Sequence, residues 1–327
     1  ATAHRVDAKD AGWPAHGALV DHALRDVSPP PAEETAALLA GLGVKARVLP
    51  VEVVGPGGTE AAARRARYAA LRAARPTAES PVLLGHTLDD QAETVLLGLG
   101  RGSGARSLAG MATWNPPWLR PLLAVRRATT RSACAAQGLP VWDDPHNADP
   151  RFTRVRVRHE VLPLLEDVLA GGVAEALART AVHLAEDNAA LDEVAAEVRA
   201  DAETRARAEA AVPASEGRAE ARARAEAAVP VSEGRYPELD VAALRGHPPA
   251  VRRRVLRGWL LDAGVREVSD ARLRAADDLV GRWHGQGALA LPGGLELNRG
   301  RGRLVLRRTA SAPGSSVVGS VAPTRPT

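Results

Sequence analysis

Cysteine is nearly missing. Cys134 is the one thiol in 327 residues, which excludes an intrachain disulfide framework and a multi-cysteine metal or cluster site. Such usage fits a reducing compartment, the cytoplasm. Methionine is as scarce, with Met111 alone, and lysine is confined to Lys9 and Lys45, so arginine carries nearly all the positive charge. Aromatic residues make up 3% of the chain, with one phenylalanine and two tyrosines. No run of eighteen apolar residues occurs, so no membrane span is expected. The opening residues, ATAHRVDAKD, do not form a secretory signal.

What is present is an ordinary globular composition, 45% hydrophobic, with a formal net charge of +4 and a pI near 9.9. The length allows one large domain or two ordinary ones. The basic balance weighs only mildly towards nucleic acid. Arginine is, however, the better fork for phosphate.

The most informative stretch is Pro81 to Met111, PVLLGHTLDDQAETVLLGLGRGSGARSLAGM. Val82 to Leu84 reads as a short buried strand, Gly85 as a turn, and Thr87 to about Leu99 as a helix by its apolar spacing. His86, Asp89, Asp90 and Glu93 stand at i, i+3, i+4 and i+7, near one helical face. In an open α/β sheet that face borders the ligand crevice at the strand's carboxyl end. Taken singly, each acid is as well explained by offsetting the helix macrodipole.

Taken together, the residues G-H-x-x-D-D-Q-x-E-T followed by R-G-S-G and a G-M ending resemble the signature of the tRNA(Ile)-lysidine synthetases, members of the PP-loop (N-type ATP pyrophosphatase) superfamily. Ser107 stands where that family usually has glycine. Further stretches are similar to it. Ala18 to Arg25 resembles a strand ending in D-H-x-L-R, placing Asp21 and His22 at a sheet's carboxyl edge. Glu60 to Tyr68 matches E-A-x-A-R-x-x-R-Y, with Arg64, Arg67 and Tyr68 on adjoining positions of one helical face. Arg120 to Leu123 matches R-P-L-L, and residues 144–158 resemble D-P-x-N-x-D-x-x-F-x-R, carrying Asn147, Phe152 and Arg154. Read as extended chain, Arg154, Arg156 and Arg158 would form a one-sided comb suited to a phosphodiester backbone.

The resemblance implies an α/β fold: a Rossmann-like PP-loop ATPase domain with a parallel sheet, over 1–160, then a mainly helical tRNA domain with a small terminal β-hairpin, over 161–308. The tail, 309–327, is expected to be disordered. It implies ATP-dependent joining of free L-lysine to C2 of cytidine 34 in a tRNA(Ile) with a CAU anticodon, through an adenylated base. A homodimer is compatible with it; a membrane partner is not. His86, Asp90 and Glu93 are the catalytic candidates, Asp90 and Glu93 also as Mg²⁺ or ammonium ligands. Asp21, His22, Gly85, Asp89 and Arg101-Gly102-Ser103-Gly104 are the nucleotide candidates. Arg64, Arg67, Tyr68, Arg120, Asn147, Phe152, Arg154, Arg156 and Arg158 are the RNA candidates. A thiolating PP-loop enzyme is the related alternative, disfavoured by the single cysteine, and a non-catalytic tRNA-binding module the more distant one.

Two features depart from the family. The superfamily's S-G-G-x-D-S phosphate loop is nowhere in the sequence. The opening residues read as the helix that follows it. The expectation is therefore a chain that starts beyond that loop, binds ATP poorly and does not turn over as it stands. The second is a tandem repeat: residues 202–218 and 219–235 differ only at Thr204/Ala221 and Ala214/Val231. Two copies are too few for a solenoid, and an exposed connector is expected. Arg252, Arg253, Arg254 and Arg257 make a basic run whose ordinary reading is a solvated face.

Overall fold

The computed structural model describes residues 15–21, 32–55, 58–102, 104–143, 145–211 and 236–309. The expected first helix, His22, Ser103, the repeat beyond Ala211 and the tail lie outside the described residues. The chain divides into two compact units, 1–186 and 187–327; the boundary expected from sequence lay near 160.

In the first unit, β1 (His16–Asp21) pairs in parallel with β2 (Lys45–Pro50), with α1 (Ala32–Gly41) between them. The connection through a helix is what a parallel pair demands. The helix α2 (Gly58–Ala73) follows, then β3 (Val82–Leu83). β3 pairs in parallel with β5 (Trp118–Leu119), which pairs antiparallel with β4 (Trp114–Asn115). Between β3 and β4 run α3 (Leu88–Gly100) and the short α4 (Ala105–Leu108). The α/β class and the parallel pairings agree with the sequence reading. The described strands form separate small sheets, order β1-β2 and β3-β5-β4.

The unit continues with α5 (Arg127–Ala136), a 3₁₀ turn (Pro145–Ala148), α6 (Thr153–Arg156), a π-turn (Val157–Val161) and α7 (Leu162–Val168). The expected extended comb is thus corrected: residues 153–168 are helical. Alternating Val and Arg over five residues satisfies either period. The helix wins because it turns Arg154 and Arg158, four apart, towards the acids of α3, and buries Val155 and Val157. Arg156 falls on the other side and pairs with Glu160 at 2.8 Å. A small core of Leu88, Ala92, Val157, Leu162 and Ala174 locks α3 to this segment. Ala174 lies in the first turn of α8 (Val173–Ala211), whose opening N–H groups of Val173 and Ala174 donate to Glu166 at 3.0 Å each.

The second unit packs the latter part of α8 with α9 (Val241–Arg245), α10 (Pro249–Asp262), α11 (Asp270–Gly281) and an antiparallel sheet. That sheet has the order β6-β9-β8-β7, from β6 (Leu239–Asp240), β7 (Leu289–Leu291), β8 (Leu295–Gly300) and β9 (Arg303–Arg308). It is larger than the expected hairpin. Leu239, Leu244, Leu256, Trp259, Leu297 and Leu304 are buried at its centre, and Trp259 donates its indole N–H to the Pro237 carbonyl at 2.8 Å. The basic run of α10 is largely consumed internally: Arg252 is bidentate to Asp277, Arg254 holds Asp192 and Asn188, and Arg257 donates to the Val268 carbonyl. Consecutive helical residues point about 100° apart, so Arg252, Arg253 and Arg254 spread over about 200° of the helix and do not share one face.

Candidate active site

Thr87 caps α3. Its N–H and its hydroxyl both donate to Asp90 Oδ2 at 2.8 Å, a reciprocal cap that fixes the first turn. Gln91 then reaches sideways. Its amide donates to the Met111 carbonyl at 3.0 Å and accepts from the Met111 N–H at 2.8 Å. That pair explains why the motif couples a glutamine to a distant Gly-Met. Gly110 has φ +63°, and a Cβ there would sit 2.7 Å from the Gln91 amide oxygen. Gly98 likewise lies against Ser107, with 3.0 Å between a Cβ at residue 98 and the Ser107 carbonyl.

The acids of α3 each find a distinct partner set. Asp89 Oδ2 accepts from the Arg127 backbone N–H at 2.7 Å, at the start of α5, and Oδ1 meets Arg126 at 3.3 Å. Asp90 Oδ1 meets Arg127 at 3.0 Å and Arg158 at 3.3 Å. Glu93 has no exposed side-chain surface. Its Oε1 accepts from Arg158 at 2.7 Å and Arg127 at 3.2 Å, its Oε2 from Arg158 at 3.2 Å, and Arg154 lies 3.7 Å away. Burial would raise the Asp90 carboxyl, but the Thr87 N–H, Arg127, the Thr87 hydroxyl and Arg158 together hold it below the usual carboxylate value.

These residues do not fit the Mg²⁺ site expected at Asp90 and Glu93. All four carboxylate oxygens are taken by donors or lie beside guanidinium groups, and a dication would face three arginines. Among the described residues no group of three or more His, Cys, Asp or Glu side chains could hold a metal. An arrangement of two acids among arginines suits an organic cation or a zwitterion better than a hard dication.

Beside this cluster lies a cavity of about 150 Å³, lined by Asp89, Glu93, Arg126, Arg127, Arg158, Leu162, Pro163, Glu166 and Ala174. It carries charge of both signs and an apolar wall.

A second, cationic cluster forms around His86. Its ring nitrogen Nδ1 is buried with no hydrogen-bond partner, as is Arg120 Nε. Unpartnered buried polar atoms are rare and call for an explanation such as a ligand. Burial lowers the His86 pKa to about 4; Asp90 opposes this, while Arg120, Arg64 and Arg67 add to it. The ring is therefore neutral at pH 7. Arg120 is itself anchored through Nη1 to the Ala112 carbonyl at 2.8 Å. On α2, Arg64 donates to the Tyr68 hydroxyl at 3.2 Å, and Arg64 and Arg67 lie 4.8 and 5.7 Å from the Tyr68 ring centre. Tyr68 packs edge-to-face on buried Trp118 at 4.6 Å. Burial lowers the Arg67 pKa; Tyr68 opposes that, and Arg64 and Arg154 lower it further. Arg154 also donates to the Thr94 hydroxyl at 2.8 Å, so it stands between the two clusters.

The structure thus brings together His86, Asp90, Glu93, Arg64, Arg67, Tyr68, Arg120, Arg154 and Arg158. Asp21 is exposed at the carboxyl end of β1. Arg101, Gly102 and Gly104 form an exposed turn after α3, with φ of +62° and +75° at the two glycines; Gly85 is exposed as well. Asn147 is exposed, and its carbonyl lies 3.2 Å from His159. Phe152 is the N-cap residue of α6. Sequence reasoning missed Arg127. Its signal was two adjacent arginines at a helix start, where the macrodipole disfavours cations unless acids from elsewhere face them.

A sequence profile for the PP-loop domain matches residues 2–165, and one for the TilS substrate binding domain matches residues 239–305. The chain is 54% identical over 292 residues to a tRNA(Ile)-lysidine synthase of Rhodococcus jostii, covering 88% of this chain and 80% of that protein. It is 52% identical over 302 residues to the tRNA(Ile)-lysidine synthase of Mycobacterium tuberculosis, covering 90% and 84%. The one of Nocardia farcinica is 53% identical over 301 residues, with the same coverage. A solved structure described as a U34-tRNA thiolase from Methanococcus maripaludis aligns over 52% of this chain and 61% of its own, at 15% identity and a TM-score of 0.43. No helix among the described residues is long and apolar enough to cross a membrane.

Proposed function

Because the chain belongs to the tRNA(Ile)-lysidine synthase family of ATP-using PP-loop ligases, we propose that it joins free L-lysine to C2 of cytidine 34 in a tRNA(Ile) with a CAU anticodon. In the first step the cytosine O2 attacks the α-phosphorus of ATP, and diphosphate leaves. In the second the lysine amine attacks C2, loses a proton to a base, and the C2–O bond breaks to release AMP.

The observation that carries this reading is the pair of buried, partnerless atoms, His86 Nδ1 and Arg120 Nε, within a group of cations on the PP-loop domain. A neutral imidazole orients a polar group at the adenylate and does not supply a proton at pH 7. Arg64, Arg67 and Arg120 neutralise phosphate charge as it develops. Any Mg²⁺ arrives with the triphosphate and is not held by Asp90 and Glu93. The acidic cluster is the amine site. A lysine ammonium displaces one guanidinium from Glu93 and Asp90, which then serve as the proton acceptor. The adjoining cavity matches a zwitterion with a four-carbon stem: carboxylates for the amines, Arg126 for the carboxylate, and Leu162, Pro163 and Ala174 along the methylenes.

The two half-reactions separate the roles, and both are measured on the full chain. His86→Gln and Arg120→Gln should lose tRNA-dependent diphosphate release. Glu93→Gln should retain it and lose capture of labelled lysine. If Glu93→Gln incorporates lysine at the unmodified rate, the amine site is elsewhere.

A further inference from the structure

Three carboxylates line the cavity beside α3: Asp89, Glu93 and Glu166. Two of them are matched by arginines. Asp89 has Arg126 at 3.3 Å, and Glu93 has Arg158 at 2.7 Å. Glu166, on α7, makes no ion pair among the described residues. Its two oxygens each accept one backbone N–H, from Val173 and Ala174, at 3.0 Å. A carboxylate oxygen has two lone pairs, so half of the acceptor capacity is left. Those N–H groups hold the Glu166 carboxyl below its usual value against burial, and Arg126 adds to them, so it stays ionised at pH 7.

Glu166 is also held still. Ala170, Gly171 and Gly172 join α7 to α8 with φ of +59°, +89° and +75°. The alanine takes a left-handed backbone at a cost, which persists only where its surroundings fix it. Here the Gly171 N–H donates to the Glu166 carbonyl at 2.7 Å, while the Glu166 carboxylate caps α8. Main chain and side chain of one residue close the elbow together, and the acid cannot swing away. Arg126 is the opposite case. Of the three arginines on the cavity it is the most loosely held. Its contacts, to Asp89 and to Glu175 in the first turn of α8, are both 3.3 Å, and the Arg126 and Glu175 side chains are each 38% exposed. Arg127 and Arg158 reach Asp90 and Glu93 at 3.0 and 2.7 Å.

We propose that Glu166 and Arg126 form a head-group clamp, which reads the α-ammonium and the α-carboxylate of the incoming amino acid together and leaves its far amine for Glu93. Glu175 holds Arg126 until the substrate's carboxylate replaces it. An α-amino acid carries opposite charges on one carbon, and a fixed acid beside a movable guanidinium matches that pair. The reacting amine lies four methylenes away, past Leu162, Pro163 and Ala174. An amine seated at Glu166 stays protonated, because the acid facing it is a poor base, and so it is no nucleophile. The clamp therefore also decides which of the two amines reacts. This rests on the reading of the cavity as the amine site.

The test is calorimetric binding of three probes to the full chain: L-lysine, 6-aminohexanoate, which lacks the α-amine, and 1,5-diaminopentane, which lacks the carboxylate. Lysine should bind the unmodified protein about tenfold or more tightly than either. Arg126→Gln should weaken lysine by about ten- to hundredfold and diaminopentane not at all. Glu166→Gln should weaken lysine and diaminopentane, and 6-aminohexanoate not at all. A variant that merely failed to fold would lose all three alike, and Arg126→Gln, at an exposed pair, does not carry that risk. Glu175→Gln should tighten lysine about two- to fivefold by releasing Arg126, an effect that no structural role of the pair predicts. A lysine-over-diaminopentane preference that persists in Arg126→Gln, or weaker lysine binding in Glu175→Gln, overturns the clamp. Unaltered preferences with lysine capture lost in Glu93→Gln refute the clamp alone; altered preferences with capture kept in Glu93→Gln refute the role of Glu93 alone. No lysine binding by the unmodified chain refutes both.

Discussion

Removing the Glu93 carboxylate is the most direct test of the buried cluster. Glu93 is fully buried and bidentate to Arg158, with Arg127 as a third donor. Deleting one member of a buried ion pair costs about 3–5 kcal/mol, because the other charge is left uncompensated. Here the lower end applies. Arg127 and Arg158 keep Asp90 at 3.0 and 3.3 Å and remain 28% and 20% exposed, so water and Asp90 recover part of the loss. Glu93→Ala should therefore destabilise the first unit by about 3 kcal/mol, which for a body of this size lowers its melting temperature by roughly 6–12 °C. Glu93→Gln keeps the shape and one acceptor, and should cost about half as much. Calorimetry on both, with Arg158→Met alone and combined with Glu93→Ala, completes a double-mutant cycle. The coupling should exceed about 1 kcal/mol. A coupling below about 0.5 kcal/mol, with Glu93→Ala melting near the unmodified protein, would mean that the carboxylate is not held as described.

Other outcomes follow from the same geometry. The His86 ring, with its pKa lowered to about 4 from 6.5, resists protonation when folded. Its contribution is fully present above pH 6.5 and is lost as pH falls towards 4, by about 1–2 kcal/mol after allowing for solvent at a partly exposed ring. His86→Gln should flatten that part of the urea-midpoint profile; Asp90, also held low, adds its own loss only at more acid pH. An unchanged profile would refute burial as the cause. Gly110→Ala forces a Cβ to within 2.7 Å of Gln91 at a positive φ, and thermal melting should show a loss of about 2 kcal/mol or more. Arg156→Ala removes an exposed i,i+4 pair and should leave the thermal midpoint unchanged, because solvent screens such a pair, whereas a strand-edge comb would have made it equivalent to Arg158→Ala.

Much of the site was legible because local spacing decides it. The helix of α3 follows from apolar periodicity, and the placing of Asp90 and Glu93 on one side follows from a three-residue interval. Likewise Arg64, Arg67 and Tyr68 gather as their spacing on α2 requires. What was illegible depends on where distant segments arrive. The Val-Arg alternation of 154–158 fits two periods, and only the acids of α3 break the tie. The arginines of α10 look like a patch in one dimension and diverge in three. Arg127 carries no local mark of its role beyond a misplaced positive charge.

The acids of α3 also show why the structural and the chemical readings of the motif need not compete. Asp89 is committed to the backbone of α5 through the Arg127 N–H. Asp90 is half committed, one oxygen to the Thr87 cap and the other to the side-chain guanidinium groups of Arg127 and Arg158. Glu93 makes no hydrogen bond to backbone among those described; its donors are arginine side chains alone. Side chains can swing aside at the cost of a rotamer, whereas a helix terminus cannot. A cation entering from the adjoining cavity can therefore exchange for a guanidinium at Glu93 without unwinding a helix, and at Asp89 it cannot. The order of freedom, Glu93 before Asp90 before Asp89, is the order in which neutralising them should impair lysine capture rather than folding.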